Sequence, residues 1–103
     1  MRIGDIAAGR AGDKGDVLDL TLVAYTATDY EKLCRLLPSE EAARALNRVA
    51  PGPVIRYELP KLRALKFVAP RALQGGVHAS LRAGLHWQKA AIWLLLDYQI
   101  NGE

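Results

Sequence analysis

Seven consecutive residues gather most of the chemistry this sequence offers in one place. Arg10-Ala11-Gly12-Asp13-Lys14-Gly15-Asp16 holds two glycines, two acids and two bases between two apolar runs. Charged groups on a glycine-rich stretch belong at a surface, where glycine lets the backbone approach a ligand or partner closely. Glycines on either side of Asp13-Lys14 leave backbone N–H groups free to point at an anion, with Arg10 and Lys14 adding charge. The spacing is not that of a Walker loop. G-x-x-x-x-G-K-[ST] is absent, and Gly9, Gly12 and Gly15 do not form G-x-G-x-x-G. Asp13 and Asp16 are the hard oxygen ligands a divalent cation prefers, but Arg10 and Lys14 beside them oppose it. The reading is an anion- or partner-binding stretch comprising Arg10, Gly12, Asp13, Lys14, Gly15 and Asp16, with no metal and no cofactor. The same residues also suit a tight turn whose acids and bases pair locally.

Other chemical side chains are scattered. His78 and His86 are eight apart, wider than the three or four of a helical zinc motif. Ser80 has no G-x-S-x-G context. Cys34 is alone, which excludes an internal disulfide and reads as a buried thiol in a reducing compartment. Of Trp87 and Trp93, six apart on a helix, one is expected in the core and the other at an interface.

Behind these residues stand the elements that must position them. Met1–Ala8 reads as a short strand and Arg10–Asp16 as a turn. Val17–Tyr25 alternates with Leu18, Leu20, Leu22 and Ala24 on one face, a half-buried strand. Thr28-Asp29-Tyr30-Glu31 has the form of a capping box and opens a helix that Pro38 breaks. Ser39 caps a second helix, with Glu40 and Glu41 well placed against its dipole, and Pro51-Gly52-Pro53 ends it. Val54–Leu59 alternates and places Ile55, Tyr57 and Leu59 inward. After a turn at Pro60–Arg63, Ala64–Ala69 completes a hairpin with Leu65 and Phe67 inward. Val77–Trp93 suits a helix, and Leu94, Leu96, Tyr98 and Ile100 alternate like a closing strand. From Val17 onward this is β-α-β-β-α-β. The expected fold class is α+β, a ferredoxin-like split β-α-β sandwich with an additional N-terminal strand, over one domain of residues 1–103.

Composition narrows the classes. A net charge of +3 is too mild to argue for nucleic acid, although seven bases face one acid between Arg56 and Lys89. The most apolar run, Ala90–Leu96, is far shorter than the ~20 residues a bilayer span needs. The start carries no long apolar segment, so a cytoplasmic location is expected.

The stretch Arg10–Asp16 resembles the R-[SA]-G-D-K-G-D hallmark of the AtuA-like ferredoxin-fold domain. That domain is the C-terminal part of acyclic terpene utilisation proteins and also occurs as a separate small protein. Gly52–Pro60 with Ala64–Val68, and Ala72–Val77 with Ser80–Arg82, match further blocks of the family in order. Asp19 stands where the family usually has asparagine. Gly84–Lys89 keeps the lysine of a D-x-x-G-K turn without its acid or the glycine before the lysine. The resemblance implies an accessory, non-catalytic subunit in acyclic terpene or branched acyl-CoA catabolism. It would associate with itself and with a larger AtuA-like subunit, and bind an acyl-CoA or other anionic small molecule at Arg10–Asp16. The alternative is an enzyme half-site for a CoA-linked carboxylic acid, with Asp13 and Lys14 as functional groups. Enzymatic activity stays open at this point. No RNP-type segment supports a third reading, RNA binding.

Overall fold

The computed structural model describes residues 1–14, 17–47, 52–69 and 86–100. Of Asp13, Lys14 and residues 86–90 it describes only the backbone. The elements are β1 (Ala7–Lys14), β2 (Val17–Ala24), α1 (Ala27–Leu36), α2 (Ser39–Leu46), β3 (Ile55–Leu59), β4 (Ala64–Ala69) and α3 (His86–Leu96). Short 3-10 turns at Ile3–Asp5 and Pro60–Leu62 precede β1 and link β3 to β4. The sheet order is β1-β2-β4-β3, antiparallel throughout.

This is the ferredoxin-like α+β plan. β2 and β3 run parallel, α1 and α2 cross between them, and β4 fills the gap. One side of the sheet meets the helices. Leu18, Leu20 and Leu22 of β2 and Leu65 and Phe67 of β4 are buried there with Leu33, Leu37, Ala42, Leu46, Ala91 and Leu95. Each such large side chain contributes about 1.5–3 kcal/mol relative to exposure.

Four local readings change. The chain between Ile3 and Asp5 is a 3-10 turn, and the first strand starts at Ala7 and runs on to Lys14. Arg10–Lys14 is therefore strand and not turn, because an eight-residue ladder with β2, from Ala7↔Ala24 to Lys14↔Val17, satisfies its backbone. Gly15 and Asp16 lie outside the described residues. The cap of α1 is Thr26, whose Oγ1 accepts from the Asp29 N–H at 3.0 Å, rather than Thr28. Starting the cap two residues earlier lets the helix begin at Ala27. Pro38, not Ser39, occupies the cap position of α2.

The closing strand is absent among the described residues. α3 continues through Leu96, and Ala91, Ile92 and Leu95 recur at helical spacing toward the core. Beyond it the chain makes a single bridge, Arg2↔Gln99, with Ile3 N–H bonding the Tyr98 carbonyl at 3.1 Å. The reason is positional: the edge beside β2, which a closing strand would occupy, is filled by β1. The N-terminal strand is not an addition to the four-stranded sheet but its fourth member. The sequence-based start of the last helix, 77–85, lies outside the described residues.

β3 reverses its expected faces. Ile55 and Tyr57 are exposed, at 44% and 48%, and Arg56 points to the helix side. Its Nη1 donates to the carbonyls of Cys34 and Leu37 at 3.0 and 3.3 Å, and its Nη2 to Glu58 at 2.6 Å. A guanidinium at the C-terminal end of α1 satisfies carbonyls that lack helical partners and meets the negative end of the dipole. That demand outranks the burial of Ile55 and Tyr57 on an edge strand.

Candidate interaction surface

The face of the sheet turned away from the helices forms a regular lattice. Strand pairing sets three rows across it: Ala8–Val23–Ala64–Leu59, Arg10–Thr21–Lys66–Tyr57, and Gly12–Asp19–Val68–Ile55. Side chains two apart on a strand share a face, so each row follows from register alone. Val23, Ile55 and Tyr57 are exposed here, Val23 at 37%. One ion pair crosses the face, Lys66 Nζ to Asp19 at 3.1 Å, with both side chains about two-fifths exposed at 40% and 38%. Arg10 is exposed and makes no ion pair among the described residues.

The residues singled out from sequence divide on this lattice. Arg10 and Gly12 belong to the outer face. Asp13 is paired with Leu18 and Lys14 with Val17, at the far end of the β1–β2 ladder. The arrangement of Asp13, Lys14, Gly15 and Asp16 about a ligand falls outside what is described. His78 and Ser80 lie outside the described residues, as do the side chains of His86 and Trp87. Trp93 is exposed at 58% on α3. Cys34 is partly buried within α1.

The two glycines of β1 have opposite surroundings. A Cβ at Gly9 would stand 2.7 Å from Ile92 Cδ1 and Cγ1 and 3.3 Å from Leu96 Cδ1. Gly9 therefore admits α3 onto the sheet. A Cβ at Gly12 would meet nothing within 4 Å among the described residues.

Ile55, Tyr57 and Leu59, expected inward from their alternation, stand on the outer face, the first two exposed and Leu59 half-buried. The available signal was Arg56 and Glu58 alternating with them, which suggested a solvent face when the cation was serving a helix end. On the helix side, a groove of about 490 Å³ is lined by Arg35, Pro38, Glu41, Arg44, Tyr98 and Gln99 among others. Three of its polar side chains are matched to one another: Glu41 accepts from Tyr98 Oη at 2.7 Å and pairs with Arg44. The bond to Glu41, followed by burial, raises the Tyr98 pKa. Tyr30 is a different case. Its hydroxyl is buried and, among the described residues, has no partner at full hydrogen-bond geometry; burial, then its interaction with the neighbouring Cys34 thiol, pushes its pKa up to about 12. Neutral, solvent-poor tyrosines of this kind are structural, not acid–base groups near neutral pH.

A four-stranded antiparallel sheet in the order β1-β2-β4-β3 with helices packed on one face defines a ferredoxin-like domain. The chain belongs to a particular family of that class, the AtuA ferredoxin-like domain, whose family model matches residues 1–101. Comparison with curated proteins and with solved structures finds no match. No described helix is long and apolar enough to cross a membrane.

Proposed function

We propose that this chain is an association module: a small accessory subunit that works by docking through its outer sheet face. The observation that carries the reading is the exposure of Val23, Ile55 and Tyr57 on a sheet whose other face holds the core. Aromatic and aliphatic side chains standing together around a few charges have the composition of an interface centre. The partners are other copies of this chain and a larger AtuA-like subunit, in the breakdown of acyclic terpenes or branched acyl-CoA compounds. The working place is the cytoplasm. Arg10, at the margin of the face, leads into Gly12–Asp16, where a carboxylate or phosphate of an acyl-CoA would find the positive charge of Arg10 and Lys14.

The test is co-expression with the larger subunit. Tyr57→Glu places a carboxylate on the face without touching the core, so the complex is expected to be lost while circular dichroism stays unchanged. A second variant, Asp13→Ala with Lys14→Ala, separates this reading from an enzyme half-site. An intact complex that no longer turns over a branched acyl-CoA would overturn the accessory role.

A further inference from the structure

The outer lattice has an asymmetry that its own fold does not explain. Along β1 it presents Ala8, Arg10 and Gly12: a cation between two small residues. Along β3, at the opposite edge and in the same rows, it presents Leu59, Tyr57 and Ile55: an aromatic ring between two large aliphatic ones. Gly12 is the sharpest part of the puzzle. No described residue lies within 4 Å of where its Cβ would be, and its backbone is not in the left-handed region. Glycine inside a strand is disfavoured relative to alanine, and nothing among the described residues around Gly12 requires it. A glycine without an internal reason points to something outside the molecule that comes close.

Resting on the association reading above, we infer that the chain self-associates face to face about a two-fold axis parallel to its strands, between β2 and β4. Such a rotation reverses strand order and keeps the rows. β1 of one copy then covers β3 of the other. Gly12 receives Ile55 of the second copy, Ala8 receives its Leu59, and Arg10 lies on the ring of its Tyr57. Every contact occurs twice, as an isologous interface requires. Stacked sheets sit about 10 Å apart with interdigitating side chains. A small residue facing a large one fills that gap at both edges. The guanidinium over the tyrosine ring adds a cation–π contact that is worth more as water leaves. Asp19, one row from Lys66 of the second copy, extends the ion pair it already makes with its own Lys66.

The competing two-fold, perpendicular to the strands, lays β1 on β1 and β3 on β3. It sets Arg10 against Arg10 and Lys66 against Lys66, leaves a gap between Ala8 and Gly12, and crowds Leu59 onto Ile55. Charge and volume both disfavour it. The face is four strands wide at about 4.8 Å spacing and only three rows long. Its footprint is smaller than the ~800 Å² per partner of a standard interface. The expected dimer is therefore concentration-dependent.

Sedimentation velocity over a concentration series tests this on the full chain and on Gly12→Ile, Ile55→Ala and their combination. Gly12→Ile is expected to weaken the dimer about tenfold or more by overfilling the seat of Ile55. Adding Ile55→Ala to it moves the knob to the other strand and is expected to recover most of the loss. Circular dichroism of dilute Gly12→Ile is expected to match the parent, since the site has open space. A dimer indifferent to Gly12→Ile, or losses that simply add in the double variant, would overturn this arrangement and leave association itself standing. A parent chain that stays monomeric up to its solubility limit would also overturn it. Docking to the larger subunit is then decided separately by the co-expression test.

Discussion

Alanine at two glycines of one strand should act in opposite directions. At Gly9 the new methyl would lie 2.7 Å from two carbons of Ile92, against the 3.5–4.0 Å of an ordinary carbon contact. Ile92 is buried and Leu96 stands 3.3 Å away, so little room exists for it to withdraw. Overpacking of this kind costs about 1–3 kcal/mol. The lower entropy of the unfolded alanine chain returns about 0.4–1 kcal/mol. The net is a loss of about 1–2 kcal/mol. At Gly12 no clash with a described residue opposes the entropic gain, and Gly12→Ala is expected to stabilise by about 0.5 kcal/mol. For a domain of this size 1 kcal/mol moves Tm by roughly 4–8 °C. Gly9→Ala should therefore melt about 5–15 °C below the parent, and Gly12→Ala a few degrees above it. The assay is urea and thermal unfolding followed by circular dichroism at high dilution, because a dimer adds concentration-dependent stability of its own. Equal m-values would confirm that only stability has changed. A Gly9→Ala variant as stable as the parent would refute the seating of α3 on β1. A destabilised Gly12→Ala at high dilution would show that an internal constraint holds that glycine.

The remaining predictions concern the support beneath the surface. Arg56→Met keeps the aliphatic stem but removes the donors to the Cys34 and Leu37 carbonyls. It should destabilise by about 2 kcal/mol in urea unfolding, the cost of hydrogen bonds from a charged group that is only 19% exposed. An unchanged midpoint would mean that water caps α1 equally well. Tyr30→Phe removes a buried hydroxyl without a well-formed hydrogen bond among the described residues and is expected to stabilise by about 1 kcal/mol at neutral pH. The parent should also lose stability as pH rises. Tyr30 is raised above the ordinary 10.0 to about 12, so its neutral form is favoured by folding. That contribution is complete below pH 10 and fades between about pH 10 and 12. Tyr98, raised in the same direction, acts likewise above pH 10. Chemical denaturation at pH 9 and pH 11 should show a drop that is smaller in Tyr30→Phe, and equal drops would remove Tyr30 from the explanation.

Much of this chain is legible without coordinates. Leu18, Leu20, Leu22 and Ala24 mark a half-buried strand by their period of two, and Leu65 and Phe67 do the same for β4, because each strand's own side chains settle which face is apolar. Pro38 and Pro60 mark breaks for equally local reasons: proline lacks the N–H that would continue a helix or ladder. The ferredoxin-like class follows from the order of such elements, and Arg10 and Gly12 stand out by residue type alone. Three other matters depended on partners distant in sequence. Arg10–Lys14 reads as a turn by composition, yet it is strand because β2 supplies the bonds and α3 needs the space at Gly9. Leu94, Leu96, Tyr98 and Ile100 satisfy helix and strand patterns equally, and the choice fell to helix because β1 already holds the sheet edge. Ile55 and Tyr57 look like core by alternation and lie outside because the carbonyls ending α1, about twenty residues earlier, draw Arg56 to the other side. A pattern along the chain fixes which residues share a face. Which face is buried, and what a glycine makes room for, is decided only when distant elements meet.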